Sequence, residues 1–292
     1  MKLLDEFSAF ISNRTKVKDI DLIKLDVLLH AILHTIYSNP TRDILLFKGG
    51  SCLIKCYLGY YRFSVDLDFT YNRQEDFRKK SRKEIRRIIT RKLLPSIIDT
   101  ISKISEYGFT LDTNISNKEF FEFERTSRLV TIKPRYKELT IKIQINFVED
   151  LIYMGKTLSA TTILSNIALT KYEKEYFREL LGFYKPIKVN AYNAREIAAE
   201  KIRAILTRHG TKIADLIDLF MMHKNNMIKL ENKFLEDSTR KTSFGAKESK
   251  KYRRNPQQWK PIDPKELKLP PTLIKSIDIS ELRAFILDLN NC

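Results

Sequence analysis

Asp43-Ile44-Leu45-Leu46-Phe47-Lys48-Gly49-Gly50-Ser51 and, a short way on, Phe63-Ser64-Val65-Asp66-Leu67-Asp68-Phe69-Thr70-Tyr71 decide the reading of this chain. The apolar run ending at Phe47 fits a short buried strand, and Gly49-Gly50 breaks it. Ser51 reads as the N-cap of a helix reaching to about Leu58, with Gly59 at its end. Residues 63–71 then read as a second strand. Side chains at i and i+2 of a strand share a face, so Asp66 and Asp68 project side by side with Cα atoms about 6–7 Å apart, while Leu67 and Phe69 turn into the core.

Two carboxylates that close repel one another unless a cation sits between them. The hard ion Mg2+ takes oxygen ligands, typically one or two carboxylates plus substrate phosphates. Alone, Asp-x-Asp also fits a solvated surface pair. The glycine turn adds a second element: glycines let the backbone approach a phosphate closely, and a helix start offers unpaired N–H groups and a positive dipole end. The Ser51 hydroxyl can add a hydrogen bond. The Gly-x4-Gly-Lys-Ser/Thr spacing of a P-loop is absent, and by itself the turn also fits a plain strand-to-helix connection. In this order, turn and strand set a phosphate cradle beside a metal-binding pair, which is what phosphoryl or nucleotidyl transfer requires.

The chain has 292 residues, 43% of them apolar, with a net charge of +17. That length allows one large domain or two modest ones. The charge attracts polyanions, nucleic acid first among them, although a solvated lysine-rich surface also fits. Met1-Lys2-Leu3-Leu4 runs at once into Asp5 and Glu6, so no secretory signal is read. The longest uncharged stretch, Val27–Thr41, is too short and polar to span a bilayer. The expectation is a soluble, cytoplasmic protein without membrane contact. Cys52, Cys56 and Cys292 form no disulfide framework. Cys52 and Cys56 read as core thiols, and His30 with His34 as ordinary helix residues, since no third zinc ligand suggests itself. Arg78-Lys79-Lys80-Ser81-Arg82-Lys83, continued by Arg86-Arg87 and Arg91-Lys92, reads as an RNA-backbone contact. Lys250-Lys251-Tyr252-Arg253-Arg254 is a second candidate, with an aromatic that can stack on a base; Trp259 reads as an anchor for that segment.

Residues 1 to about 38 read as helices, with Ile20, Ile23, Leu25, Leu28, Leu29 and Ile32 at helical spacing. Between Glu75 and Ile104 lies a basic helical region interrupted at Pro95. Strands are expected at Phe109–Ile115, Phe121–Ile132, Leu139–Val148 and Ile187–Tyr192. In the third, Ile141, Ile143, Ile145 and Phe147 alternate with polar residues. Asn193 caps a helix to about His209, ended by Gly210; a second helix runs from about Lys212 to Met222, and a last one from Ser280 to Leu289. Residues 235–270 read as a polar loop or mobile segment. The fold class is therefore α+β: a mixed sheet flanked by helices over residues 1–190, and a helical part over residues 191–292. Such a division commonly places a ligand cleft between the halves. Ile197, Lys201 and Ile205 are four apart, so Lys201 lies in an apolar stripe, where a lysine is paired, serves a ligand or snorkels from the edge. Asp215 fits a surface acid on an amphipathic helix or a salt-bridge partner for Lys212.

Lys48-Gly49-Gly50-Ser51, taken with Tyr61-Arg62-Phe63-Ser64-Val65-Asp66-Leu67-Asp68-Phe69, resembles the signature of the AbiEii/AbiGii toxin nucleotidyltransferases of the DNA polymerase beta-like superfamily. Glu196, Ala199-Glu200-Lys201, Ala204 and Arg208, followed by Asp215-Leu216-Ile217-Asp218-Leu219, is similar to that family's later helices, and the two matches cover about residues 43–220 in order. The resemblance implies a nucleotidyltransferase core with a helical C-terminal domain. It implies transfer of a nucleoside monophosphate from an NTP to nucleic acid, tRNA in characterised relatives, by a toxin whose antitoxin is a separate protein. Lys48, Gly49, Gly50, Ser51, Arg62 and Ser64 would hold the nucleotide, Asp66 and Asp68 would hold Mg2+, and Lys201 and Asp215 would be later active-site residues. Two other outcomes stay open: transfer to a small molecule or protein, and an inactive fold that binds RNA or a partner. Polymerase-like sites usually carry a third carboxylate on a later strand. Here Gln144 stands at that place, and Asp150 lies about 20 Å further along. Ala214 occupies the position where the family often has an arginine.

Overall fold

The computed structural model describes residues 3–124, 128–207, 212–229, 236–241 and 268–291. The chain divides into two compact units: residues 1–149 with 155–191, and residues 150–154 with 192–292.

The first unit opens with helices α1 (Leu4–Thr15) and α2 (Ile20–Tyr37). Asp19 caps α2 by accepting from the Leu22 N–H at 3.0 Å. Apolar residues surround α2 on nearly every side, and Ile23, Val27, Leu28, Leu29, Ile32 and Ile36 are fully buried, as a core helix requires. A 3-10 turn at Pro40–Asp43 leads into strand β1 (Leu45–Lys48), and β1 leads directly into α3 (Gly49–Leu53). A π-helical turn, Ile54–Leu58, continues α3 without a break. Strand β2 (Asp66–Tyr71) follows, then helices α4 (Arg82–Ile88) and α5 (Leu94–Ser102). A second π turn at Ile89–Leu93 joins these two helices just before Pro95. Pro95 has no N–H to give the preceding turn, which accounts for the interruption there.

The remaining strands are β3 (Phe121–Glu124), β4 (Leu129–Ile132), β5 (Arg135–Tyr136), β6 (Leu139–Thr140), β7 (Lys142–Asn146), β8 (Lys156–Ala160) and β9 (Ile187–Ala191). Helices α6 (Lys171–Tyr176) and α7 (Arg178–Phe183) lie between the last two. Seven strands form one mixed sheet in the order β3-β4-β7-β2-β1-β9-β8, and β5 pairs with β6. Strand β2 runs antiparallel to β1 and parallel to β7. Its core-facing residues Leu67 and Phe69 are fully buried.

The expected strand at Phe109–Ile115 does not form; Thr110 alone bridges to Arg135. Downstream, Asp112 accepts from the N–H of Asn114, Asn114 from that of Ser116, and Asn117 from that of Glu119. These local side-chain bonds take the donors that a sheet ladder would need. The stretch Phe121–Ile132 is a hairpin of β3 and β4.

In the second unit, Asn193 accepts from the Arg195 N–H at 3.0 Å and opens α8 (Ala194–Thr207). Among the described residues, helix α9 (Ile213–Lys224), a helical turn over residues 236–241 and a C-terminal helix, Ile279–Asn291, follow. Phe220 of α9 packs edge-on against Phe285 of the C-terminal helix, with ring centroids 5.8 Å apart. The turn over residues 236–241 fastens the segment 150–154: Arg240 donates twice to Asp150, at 2.8 and 2.9 Å. Lys241 lies 2.6 Å from Glu196, both fully buried, and Glu196 also accepts from the Tyr153 N–H at 2.9 Å. Burial raises the Glu196 carboxyl above its usual range, with Lys241 opposing the shift. Arg208, the basic stretch Lys250–Arg254 and Trp259 lie outside the described residues. Among the described residues no helix is long and apolar enough to cross a membrane.

Candidate active site

The β1–β2 pairing sets the site. Lys48 lies directly opposite Asp68, and on the other side of β2, Asp68 stands beside Gln144 and Asp66 beside Lys142. Residues in direct register share a sheet face, so Lys48, Asp66, Asp68, Lys142 and Gln144 all project from one face. Asp66 and Asp68 are half-buried, Lys142 exposed. Gln144 stands in register with Asp68, and its Nε2 donates to Thr131 Oγ1 of β4 at 3.4 Å.

The turn between β1 and α3 is shaped around Asp68. Gly49 has φ +75°, and an added Cβ there would strike the Asp68 carboxylate, its Cγ lying 3.1 Å away. A side chain is therefore excluded twice, by backbone conformation and by the acid. Gly50 meets the Arg62 guanidinium: Cζ lies 3.4 Å from the position a Cβ would take, and one terminal nitrogen is closer still. Arg62 is 6% exposed, and its Nη1 donates to the Phe63 carbonyl at 2.7 Å. The helix start, an acid and an arginine therefore close on two consecutive glycines.

Ser51 does not cap the helix. Lys48 is the cap residue and α3 begins at Gly49. The Ser51 hydroxyl donates to the Asp66 carbonyl, and the residue is buried. It joins the turn to the strand that carries the acids, leaving backbone N–H groups as what the turn can offer an anion. Ser64 donates to Asp66 Oδ1 at 3.3 Å, orienting that carboxylate.

The donor set suits Mg2+. Two carboxylates on one strand face are its usual protein share, the remaining positions going to phosphate and water. Among the described residues no three His, Cys, Asp or Glu side chains gather as an all-protein metal cage. Cys52 and Cys56 are not joined by a disulfide. His30 is buried with Nε2 bonded to the Lys185 carbonyl at 2.8 Å, which is a core role.

In the second unit, Lys201 Nζ lies 2.8 Å from Asp215 and 2.6 Å from Asp218. Lys201 and Asp215 are nearly buried and Asp218 is fully so. The partner of Asp215 is thus Lys201, not the exposed Lys212. Three features escaped the sequence reading of the site: Lys142 beside Asp66, Asp218 on Lys201, and the contact of Arg62 with Gly50. The first needs the strand register. The second was signalled by Asp215 and Asp218 standing three apart on a helix, hence on one face. The third is a contact that no spacing announces.

A mixed sheet whose adjacent strands carry a glycine turn and a carboxylate pair defines a nucleotidyltransferase. Residues 31–286 match the family described as "Nucleotidyl transferase AbiEii toxin, Type IV TA system", and the chain belongs to that family. It is a nucleotidyltransferase toxin of a type IV toxin–antitoxin system, which implies an NTP substrate and an antitoxin partner. The fold is similar to that of MenT4, a nucleotidyltransferase toxin from Mycobacterium tuberculosis H37Rv, with a TM-score of 0.60, 17% identity, and coverage of 96% of this chain and 87% of that one. No curated protein matches by sequence.

Proposed function

We propose that this toxin transfers a nucleoside monophosphate from an NTP to an RNA acceptor, tRNA by its family resemblance, in the cytoplasm and with Mg2+. The observation that carries this reading is the fit of Asp68 and Arg62 onto Gly49 and Gly50. An acid and a cation beside a helix start whose amides can receive a triphosphate support this reading.

The backbone N–H groups at Gly50 and Ser51 hold the triphosphate, with Arg62 and Lys48 balancing its charge. Asp66 and Asp68 would hold Mg2+, with Ser64 fixing the orientation of Asp66. Bound there, the ion would offset charge on the phosphates and template in-line attack. Gln144 exchanges hydrogen bonds but takes up no proton, so the acceptor hydroxyl loses its proton elsewhere. Lys201 and Asp215 serve the same reaction, Lys201 being set by its two carboxylates. The exposed cations on and around α4, from Arg78 to Lys92, carry the acceptor's backbone.

Incubation with each labelled NTP, Mg2+ and total RNA should yield labelled RNA, and Asp66→Ala should abolish it. Label that persists in Asp66→Ala removes the metal assignment. Label found on protein or on small hydroxyl acceptors instead assigns a different acceptor.

A further inference from the structure

The turn that continues α3 carries one member of a polar cluster that the reaction does not use directly. Asp26 of α2 and Lys55 of the π turn are each 3% exposed. Lys55 Nζ lies 2.7 Å from Asp26 Oδ1 and donates to the Tyr60 hydroxyl at 2.7 Å. The Tyr60 hydroxyl donates to Asp26 Oδ2 at 2.9 Å, and the Tyr184 hydroxyl donates to the same oxygen at 2.6 Å. The Lys55 carbonyl accepts from Thr161 twice, from N–H at 2.8 Å and from Oγ1 at 2.9 Å. One carboxylate therefore gathers an ammonium and two phenols, with Asp26, Lys55 and Tyr184 buried and Tyr60 half-buried.

Such a cluster does not repay its burial in stability, because apolar residues of the same volume often do as well or better. Its value lies in what it holds. Lys55 sits five residues after Gly50, in the turn that continues α3. Tyr60 sits two residues before Arg62. Gly50 and Arg62 themselves touch. The segment from Gly50 to Arg62 is thus a closed loop whose ends meet at the glycine turn and whose far side is pinned at two points to one carboxylate.

We propose that Asp26, acting through Lys55 and Tyr60, is a positioning residue for nucleotide binding: it sets Arg62 over the Gly49-Gly50 turn. The inference rests on the reading of that turn as the triphosphate site.

The test is equilibrium binding of a non-hydrolysable NTP with Mg2+ to the full chain, followed by calorimetry. Tyr60→Phe removes the hydroxyl and keeps the ring that packs on Phe63, with centroids 6.0 Å apart. It should weaken binding about tenfold, within the range of coupling seen between contacting groups. The double variant Asp26→Asn/Lys55→Met, which leaves no lone buried charge, should weaken binding at least as much. Arg62→Ala should also weaken it, and Tyr60→Phe should add nothing in the Arg62→Ala background, because its effect runs through Arg62. A merely structural role predicts equal factors in both backgrounds, and that outcome overturns the inference. Unchanged affinity in Tyr60→Phe overturns it also, whether or not the double variant folds. A wild-type chain with no affinity for the nucleotide removes the site reading and this inference together; a wild-type chain that binds, with Tyr60→Phe unchanged, removes the inference alone.

Discussion

The two consecutive glycines at the site fail differently when a methyl group is added. At Gly49 the backbone is left-handed and the obstruction is the Asp68 carboxylate, with its Cβ 3.1 Å from the added atom. Gly49→Ala must therefore bear strain of about 1–2 kcal/mol and displace the carboxylate proposed to hold the metal. Displacing a reacting group by about 1 Å can cost about a hundredfold in rate, so kcat should fall by at least that factor, with a melting temperature a few degrees lower. At Gly50 the obstruction is the far end of a long arginine, which must shift within its buried seat. Gly50→Ala should raise KM for NTP by several-fold and lower the melting temperature less than Gly49→Ala, where backbone strain is added. Steady-state kinetics with melting curves check the ranking; a fully active Gly49→Ala enzyme means that Asp68 has no part in turnover. None of this was readable from the sequence beyond the glycines and acids themselves. The left-handed Gly49 fits the general use of glycine at turns, whereas the partner it makes room for is a fact of the β1–β2 register.

Elements announced by apolar runs or periodicity formed near where expected, α2, β1, β2, β9, α9 and the described part of α8, while the expected strand Leu139–Val148 divides into β6, paired with β5, and β7 in the main sheet. Those without such a pattern were missed. Strand β8 reads Lys-Thr-Leu-Ser-Ala and is mostly exposed at the sheet edge, so it shows no alternation. Helix α6 buries none of its residues, and the signal it carried was the Thr170/Glu173 capping box. Ser51 was misplaced because its preference for a cap position yielded to a tertiary acceptor, the Asp66 carbonyl. Two buried ionisable groups make element-scale predictions. His30 of α2 is held well below its usual range by burial, with Lys55 adding to the shift. The folded state therefore binds fewer protons than the unfolded chain, and stability falls as pH drops below the unfolded value of about 6.5. Part-burial of His34 acts in the same direction. Melting temperature should fall between pH 7 and pH 5, and His30→Gln should flatten that slope; an equal slope in the variant assigns the acid sensitivity to other groups. Between α8 and α9, Asp218 is fully buried on Lys201. Breaking such a pair by removing one partner costs about 3–5 kcal/mol. Asp218→Ala should come in near the lower bound, since Asp215 still faces Lys201. Chemical denaturation measures it, and a loss under 1 kcal/mol would show that the two helices do not depend on the pair.

A charge of +17 acts on the molecule as a whole, but it is unevenly spread. From Arg78 to Lys92 nine exposed cations stand against one acid, Glu84, which is engaged in the capping box that starts α4. The apolar side of this stretch, Ile85 and Ile89, is buried, so the cations face solvent as a group. A polyanion binding there releases counterions, and the affinity must fall with salt along a slope set by the number of phosphates neutralised, about 0.7 per contact for a single strand. Non-specific attraction by total charge and attraction by this face make different predictions. If the face carries the acceptor, the triple variant Lys83→Gln/Arg87→Gln/Arg91→Gln should lower the slope of log affinity against log salt for RNA by about 2, weaken binding alike for different RNA sequences, and leave the affinity for NTP with Mg2+ untouched. If attraction is spread over the whole surface, removing three charges elsewhere, for example Lys171, Lys174 and Arg178 on α6 and α7, should change the slope as much. RNA titrations at several salt concentrations on the two triple variants separate these cases, and equal slopes would place the acceptor path somewhere other than α4.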